Sequence, residues 1–330
     1  MKGNNKEFRW GIIGTGGIAN AFVKDLEYLD GHRVSSVLSR SMVTANSFTS
    51  DLKGCNGYDD INSFLDNDYI DAVYIATPNT FHAPQAILAL ESGIPVLCEK
   101  PFAMNLEEVK SMVESSEANN ATLLEGMWTR YLPHIEKVKQ ILEEATIGKI
   151  ESIFAFHGQN LRHSDNPRLW TKELGGGALL DLGVYVISFA HLVLGAPKEI
   201  MATSVFTDEE IDSKTSMIFK YENSAIANLS CSMFDTQPNR AIISGEKGRI
   251  EIEPTFYAPT KMSIIMNNGK TTTIKNGYKG HGLREQAKEL EWCLKNNLIE
   301  SPKMKHSESI SVMKSMDKIR NLIRLKYPND

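Results

Sequence analysis

Short apolar runs alternate with segments of helical period through the first third of the chain, and the grammar then changes. RWGIIG at 9–14 reads as a buried strand, 18–29 as a helix and RVSSVL at 33–38 as a second strand. Helical pieces follow at 42–52 and 61–65, then a third strand, AVYIA, at 72–76. A helix over 81–92, the turn Gly93-Ile94-Pro95 and a fourth strand at 96–98 come next. Asn105 can cap a helix running to 118, because its side-chain oxygen accepts from an otherwise orphan N–H. A fifth strand is expected at 122–125. Strands separated by helices imply right-handed crossovers and a parallel, doubly wound sheet.

After Pro133 a helix over 134–144 stops near Gly148, a strand follows at 150–156, and a loop spans 159–174. A long helix is expected after Gly175–Gly177. Apolar runs then recur at 199–206, 215–221, 225–233, 241–244, 249–253, 262–266 and 271–274, with Gly, Asn and Pro between them. Such succession argues for antiparallel pairing. Two helices, 283–295 and 308–325, close the chain. The fold class is therefore α/β plus α+β, with a dinucleotide-binding domain over 1–127 and a substrate-binding and oligomerisation domain over 128–330. The last helix is free to return to the first domain.

Length agrees with two domains, since 330 residues exceed one ordinary core. A formal charge of −5 and the lack of any Lys/Arg run exclude an electrostatic grip on nucleic acid. No apolar leader opens the chain, and no segment reaches the roughly 18 apolar residues expected of a membrane span. Cys55, Cys98, Cys231 and Cys293 are far apart and form no CxxC pair. They read as thiols of a reducing cytoplasm, and the scattered histidines imply no metal.

The sharpest motif is Gly14-Thr15-Gly16-Gly17-Ile18-Ala19, a G-x-G-x-x-A placed directly after a buried strand and before a helix. Gly14 allows the tight turn, Gly16 lets backbone approach a pyrophosphate, and Ala19 permits close helix–strand packing. The helix N-terminus supplies oriented N–H donors. The alternative is a glycine-rich turn without a ligand. An acid at the tip of the second strand would hold the ribose hydroxyls of NAD, yet the tip reads Ser39-Arg40-Ser41. Both serines can donate to a 2′-phosphate and Arg40 can pair with it, so NADP(H) is preferred over NAD(H) unless Arg40 is merely a solvated cation.

Two further strand ends face the same crevice of such a sheet: Thr77-Pro78-Asn79 with His82, and Glu99-Lys100-Pro101. Lys100 either pairs with Glu99 or a neighbour, or serves as a catalytic ammonium. Asp181 and Tyr185 stand four apart on an otherwise apolar helix and share a face. Two polar groups buried there need partners or a function, although Tyr185 could equally be a core ring bonded to a backbone carbonyl.

GTGGIA, TPNTFH, CEKP and GGGALLDLGVY, in this order over nearly the whole chain, resemble the glucose–fructose oxidoreductase/inositol dehydrogenase/rhizopine-catabolism (Gfo/Idh/MocA) family. RWGIIGTGGIA, EGMWTRYLP and GGALLDLGVY look most like its dimeric dihydrodiol and NADP-dependent D-xylose dehydrogenase branch. The resemblance implies a Rossmann domain followed by an open, mostly antiparallel sheet, one face lining the active site and the other forming a homodimer or higher homo-oligomer. It implies Lys100 as the catalytic lysine, Asp181 as the aspartate of the later helix, and Tyr185 where inositol-type members carry His. Residues 282–287 (GLREQA) lack the aromatic that the dihydrodiol branch carries there, which counts against an aromatic diol substrate.

The expected reaction is hydride transfer to or from a secondary carbinol of a sugar, polyol or vicinal diol. Tyr185 would move the hydroxyl proton, Lys100 would support it, and Asp181 would orient Lys100 or a second hydroxyl. Trp128, Arg168 and Trp170 are expected pocket walls. The competing readings are an imine or enone reductase in the same site and a non-catalytic nucleotide-binding sensor.

Overall fold

The computed structural model describes residues 7–67, 69–328 and 330. They form two compact units. One runs to Trp128 and takes in Gly280–His306; the other comprises Thr129–Lys279 and Ser307–Asp330. This division differs from a single boundary near residue 127.

The first unit begins β1 (Phe8–Ile13), α1 (Gly17–Leu26), β2 (His32–Leu38), α2 (Met42–Thr49), β3 (Asn56–Tyr58) and α3 (Ile61–Leu65). It continues β4 (Ala72–Ile75), α4 (His82–Glu91), β5 (Val96–Glu99), α5 (Leu106–Asn119) and β6 (Leu123–Gly126). Among the described residues the strands form one parallel six-stranded sheet, ordered β3-β2-β1-β4-β5-β6. Every residue of β4, β5 and β6 is buried, as expected of strands covered by helices on both faces. The order reverses between β1 and β4, and ligands of such sheets bind beyond the carboxyl ends of the strands at that point. The sequence pattern misses β3. Asn-Gly-Tyr has no apolar run, and its residues are exposed or half-buried at the sheet edge. Asn105 caps α5 as expected, its side-chain oxygen accepting from Glu108 N–H at 2.9 Å.

The second unit holds α6 (Pro133–Glu143), β7 (Ile150–Gly158), the one-turn α7 (Pro167–Trp170), a π-helical turn over Leu179–Gly183 and α8 (Val184–Leu194). The strands β8 (Glu199–Phe206), β9 (Asp212–Lys220), β10 (Ile226–Ser232), β11 (Ala241–Gly245), β12 (Gly248–Ile252), β13 (Met262–Met266) and β14 (Thr271–Ile274) follow. With β7 they make an eight-stranded sheet among the described residues, ordered β14-β13-β12-β11-β7-β10-β9-β8. Every neighbouring pair is antiparallel except β7–β10.

Register decides which face of this sheet is core. Ile200, Phe219, Ala227, Ile153, Ile243 and Ile250 pair across six strands and are all buried. One residue along, the row Met201, Ile218, Asn228, Phe154 and Ile242 faces the other way. Met201 and Ile218 in that row are 47% and 39% exposed, so this part of the outer face shows apolar side chains to solvent within this chain.

The stretch Lys172–Leu194 corrects one sequence expectation. By length and composition it is apolar enough to cross a bilayer, and it is mostly buried within the structure. Every residue from Leu179 to His191 is buried, because this segment is the central core helix of its unit. A helix surrounded by protein needs no polar face.

Two helices, α9 (Arg284–Lys295) and α10 (His306–Ile323), complete the chain. The segment leading into α9 is anchored by Asp25, at the end of α1. Its carboxylate accepts from the backbone N–H groups of His281, Gly282 and Arg284 at 2.7, 2.9 and 2.8 Å. Arg284 Nη1 adds a buried ion pair to Asp25 at 3.1 Å. Beyond α9 the chain runs beside β6, where Leu123 N–H donates to Ile299 O at 2.9 Å.

Candidate active site

The glycine loop is shaped by two different requirements. Gly14 has φ +103°, and a Cβ there would lie 2.7 Å from the Ala76 carbonyl oxygen, so the turn passes against the end of β4. A Cβ on Gly16 or Gly17 would meet nothing within 4 Å. Glycine at these two positions leaves open space beside the backbone rather than relieving a clash. Gly16 caps α1 without a side-chain acceptor, so the leading N–H groups of α1 have no side-chain cap, and its first turn holds no acid. Ala19 is fully buried against the sheet.

At the end of β2, hydroxyls gather. Thr15 Oγ1 and Ser39 Oγ lie 3.1 Å apart, and Ser39 Oγ and Thr44 Oγ1 2.7 Å apart. Ser41 caps α2, accepting from Thr44 N–H at 3.3 Å. Arg40 is exposed and makes no ion pair among the described residues.

The loops that follow β4 and β5 are tied together by His82. This buried ring has Nδ1 at 2.8 Å from Pro101 O and Nε2 at 3.0 Å from Thr77 O, so it braces both loops. Thr77 donates its hydroxyl to Gln85 Oε1 at 2.7 Å, while Pro78 leads into a short 3-10 turn holding the buried Asn79. Glu99 is buried, accepting from the Tyr74 hydroxyl at 2.6 Å and from the Lys100 backbone N–H at 3.2 Å. Burial pushes the Glu99 carboxyl above its ordinary range, and the Tyr74 donor followed by the Lys100 charge oppose this. Lys100 itself is half-buried at the sheet's carboxyl edge. Trp128 ends this unit, its ring 5.0 Å from that of His281.

In the second unit, Asp181 and Tyr185 straddle the junction of the π turn and α8, and both are buried. π turns inside helices recur at functional sites. Arg168 Nη2 donates to Asp181 Oδ1 at 3.0 Å, so the residue expected as a pocket wall is also the partner of the helix aspartate. The start of the π turn is held by Asp212, which the sequence reading missed. Its fully buried carboxylate accepts from Leu179 N–H and from Thr215 Oγ1, each at 2.8 Å. Trp170 donates its indole N–H to Ser164 O at 2.9 Å and lines an open cavity of about 540 Å³ with Arg162 and Phe234. Asp181 and Tyr185 do not line that cavity.

Three more residues surround Tyr185. The His157 ring lies edge-on to it at 5.1 Å, and Tyr257 lies 5.0 Å away. His157 and Tyr257 stack at 4.0 Å, and the Gln159 amide reaches both. The sequence did carry one signal for His157. It continues the buried phase of β7 after Ile153 and Ala155, a position where an apolar residue is expected.

Comparison with known proteins bears on both units. Residues 8–127 match the family described as "Oxidoreductase family, NAD-binding Rossmann fold", and residues 135–251 match the "GFO/IDH/MocA C-terminal domain". The chain is 31% identical to trans-1,2-dihydrobenzene-1,2-diol dehydrogenase of Xenopus tropicalis over 97% of its own length and 99% of that protein's. It is also 31% identical to scyllo-inositol 2-dehydrogenase (NADP(+)) IolU of Bacillus subtilis, covering 98% and 99%. Among solved structures, KijD10, a 3-ketoreductase from Actinomadura kijaniata in complex with NADP and TDP-benzene, superposes with a TM-score of 0.86 at 24% identity, covering 96% of this chain and 98% of that one.

Proposed function

Because the chain belongs to the Gfo/Idh/MocA oxidoreductase family and is an NAD(P)-dependent oxidoreductase acting on CH–OH groups, we propose that it performs NADP-linked hydride transfer at a secondary alcohol or carbonyl of a sugar, polyol or vicinal diol. The observation that carries the coenzyme assignment is the open cradle at Gly16–Gly17, before an acid-free helix N-terminus and beside the unpaired Arg40. The α1 N–H groups would hold the pyrophosphate, and Arg40 with Ser39 and Ser41 would hold the 2′-phosphate. When bound, the nicotinamide supplies or accepts the hydride.

The chain's own groups handle the proton. Tyr185 Oη takes it from the substrate hydroxyl in oxidation and returns it in reduction. The Lys100 ammonium donates a hydrogen bond to the same substrate oxygen and favours the phenolate. Asp181, held by Arg168, orients a second substrate hydroxyl.

The test is NADPH oxidation and NADP reduction, each against the NAD equivalents, over a panel of sugars, polyols and dicarbonyls. Tyr185→Phe and Lys100→Ala are each expected to slow turnover by about 10²- to 10⁴-fold while NADPH binding is retained. Near-normal turnover in both variants would remove these roles. Imine or enone reduction would show in the same assay.

The exposed apolar row on the outer sheet face, centred on Met201 and Ile218, supports a homodimer or higher homo-oligomer through that face. Ile218→Lys is expected to lower the mass measured by sedimentation; an unchanged mass would place the interface elsewhere. Unpaired thiols at Cys98, Cys231 and Cys293 suit a reducing cytoplasm.

A further inference from the structure

The two oxygens of the Asp212 carboxyl, fully buried in β9 beside the π turn, have unequal surroundings. Oδ2 accepts the Leu179 N–H and the Thr215 hydroxyl, each at 2.8 Å, which uses both of its lone pairs. Oδ1 is buried with no hydrogen-bond partner among the described residues. It faces Gly177, which has φ +119°, and a Cβ on that residue would run into it. The Tyr327 hydroxyl borders the same spot, but its one proton is committed to the Gly176 carbonyl at 2.7 Å, so it gives none to Oδ1. Among the described residues no cation pairs with the carboxyl. Arg320, which lies over the Tyr327 ring, is paired with Asp317 and Asp330 at 3.1 and 3.0 Å. Such surroundings suit a neutral acid, with one oxygen accepting twice and the other holding a proton. An ionised carboxylate would leave half its charge on a buried atom that no donor reaches.

We propose that Asp212 is a positioning residue that works as a neutral carboxylic acid: protonated, it clamps the start of the π turn that carries Asp181 and Tyr185, and its ionisation loosens that clamp, so that rising pH turns the enzyme down. The inference rests on the roles proposed for Asp181 and Tyr185. Charge on Oδ1 is relieved by turning the carboxyl toward a donor or solvent, and that motion pulls Oδ2 from Leu179. Leu179 stands two residues before Asp181 and six before Tyr185, so both move with it. Burial pushes the carboxyl up to about 7, and the Thr215 and Leu179 donors offset part of this. With the folded value raised, the proton is lost as pH rises through about 7, and the clamp with it. The other titratable groups packed on it, the Tyr327 phenol and the Cys231 thiol of β10, are held by burial well above their ordinary values.

Two readouts on the full chain test this, one of them without substrate. Hydrogen exchange of the peptide spanning residues 177–185, corrected for intrinsic rates, is expected to quicken about 10-fold in the wild type from about pH 6 to about pH 8. It should stay level in Asp212→Asn, whose amide oxygen accepts both donors and carries no charge. With D-xylose, myo-inositol and diacetyl as probes and NADP(H) as coenzyme, wild-type kcat relative to that of Asp212→Asn should fall about 10-fold over the same range, with KM for NADPH unmoved. Thr215→Val removes a donor that favours the ionised form and should carry both transitions to higher pH, which a merely structural loss would not do. Should Asp212→Asn fail to fold, an unmoved transition in Thr215→Val overturns the inference alone. Responses of wild type and Asp212→Asn that run parallel in both readouts overturn it and spare the proposed function. Turnover of no probe with either coenzyme removes the function reading, and the positioning role falls with it.

Discussion

The fully buried carboxylate of Asp212 accepts the Leu179 backbone N–H at 2.8 Å, and it thereby holds the first turn of the segment that carries both Asp181 and Tyr185. Burial pushes this carboxyl up from 3.8 to about 7, with the Thr215 and Leu179 donors offsetting only part of the effect. The Tyr327 hydroxyl and Cys231 thiol that interact with it are themselves raised well above their ordinary values, so neither titrates in this range. A carboxyl whose folded value is raised keeps its proton where the unfolded chain has released it. Its contribution is full below 3.8 and is lost as pH rises through about 7. Asp212→Asn removes that dependence. The melting temperature of the variant relative to wild type should therefore climb by several degrees between about pH 5 and about pH 8. Parallel curves for the two proteins would show that Asp212 does not titrate there.

Asp25 governs a second connection. Three backbone donors and Arg284 converge on a carboxylate that is 2% exposed. Asp25→Ala strips all four at once and leaves a buried guanidinium without its closest acid, a loss of about 3–5 kcal/mol for a buried pair broken on one side. Urea unfolding should report this as a lowered midpoint, with Asp25→Asn intermediate because its amide oxygen still accepts.

Arg40 offers a test of coenzyme choice that leaves the fold alone, since its side chain is exposed and pairs with no described residue. Arg40→Asp is expected to raise the KM for NADPH by about 10- to 100-fold through lost charge-assisted bonds and new repulsion, while NADH improves. Equal KM values for NADPH before and after would place the 2′-phosphate elsewhere.

The two kinds of glycine in the loop predict opposite outcomes. Gly14→Ala forces a side chain to φ +103° and to 2.7 Å from a carbonyl oxygen, and it should reduce stability and soluble yield. Gly16→Ala meets no protein atom within 4 Å, so thermal stability should be kept while coenzyme affinity falls. Loss of stability in the second variant would mean that the loop's openness serves packing rather than a ligand.

How much of this was legible in the sequence depends on how far apart the partners lie. The glycine loop, the cap at Asn105 and the Asp181–Tyr185 spacing are local, and each could be read from a few adjacent residues. β3 escaped because an edge strand of Asn-Gly-Tyr has no apolar signature. The burial of the segment from Leu179 to His191 could be read from its apolar composition, whereas the π turn at its start could not, since no local pattern marks it. Arg168 could be nominated but not paired with Asp181, because its direction depends on how the 159–174 loop folds back. Gln159 and Tyr257 are separated by 98 positions, and only the strand order of the second sheet brings them together.

The return of residues 280–306 to the first unit sets a timetable for biosynthesis. When Trp128 leaves the ribosome, the Asp25 acceptors and the Leu123 amide that later meet His281–Arg284 and Ile299 have nothing to bond except water. At about 5–20 residues per second, translation needs roughly ten seconds or more to deliver those partners. The nascent coenzyme lobe spends that interval with an incomplete edge. Ribosome-bound chains arrested before residue 280 should be cut by protease within this lobe far faster than chains arrested well past residue 306.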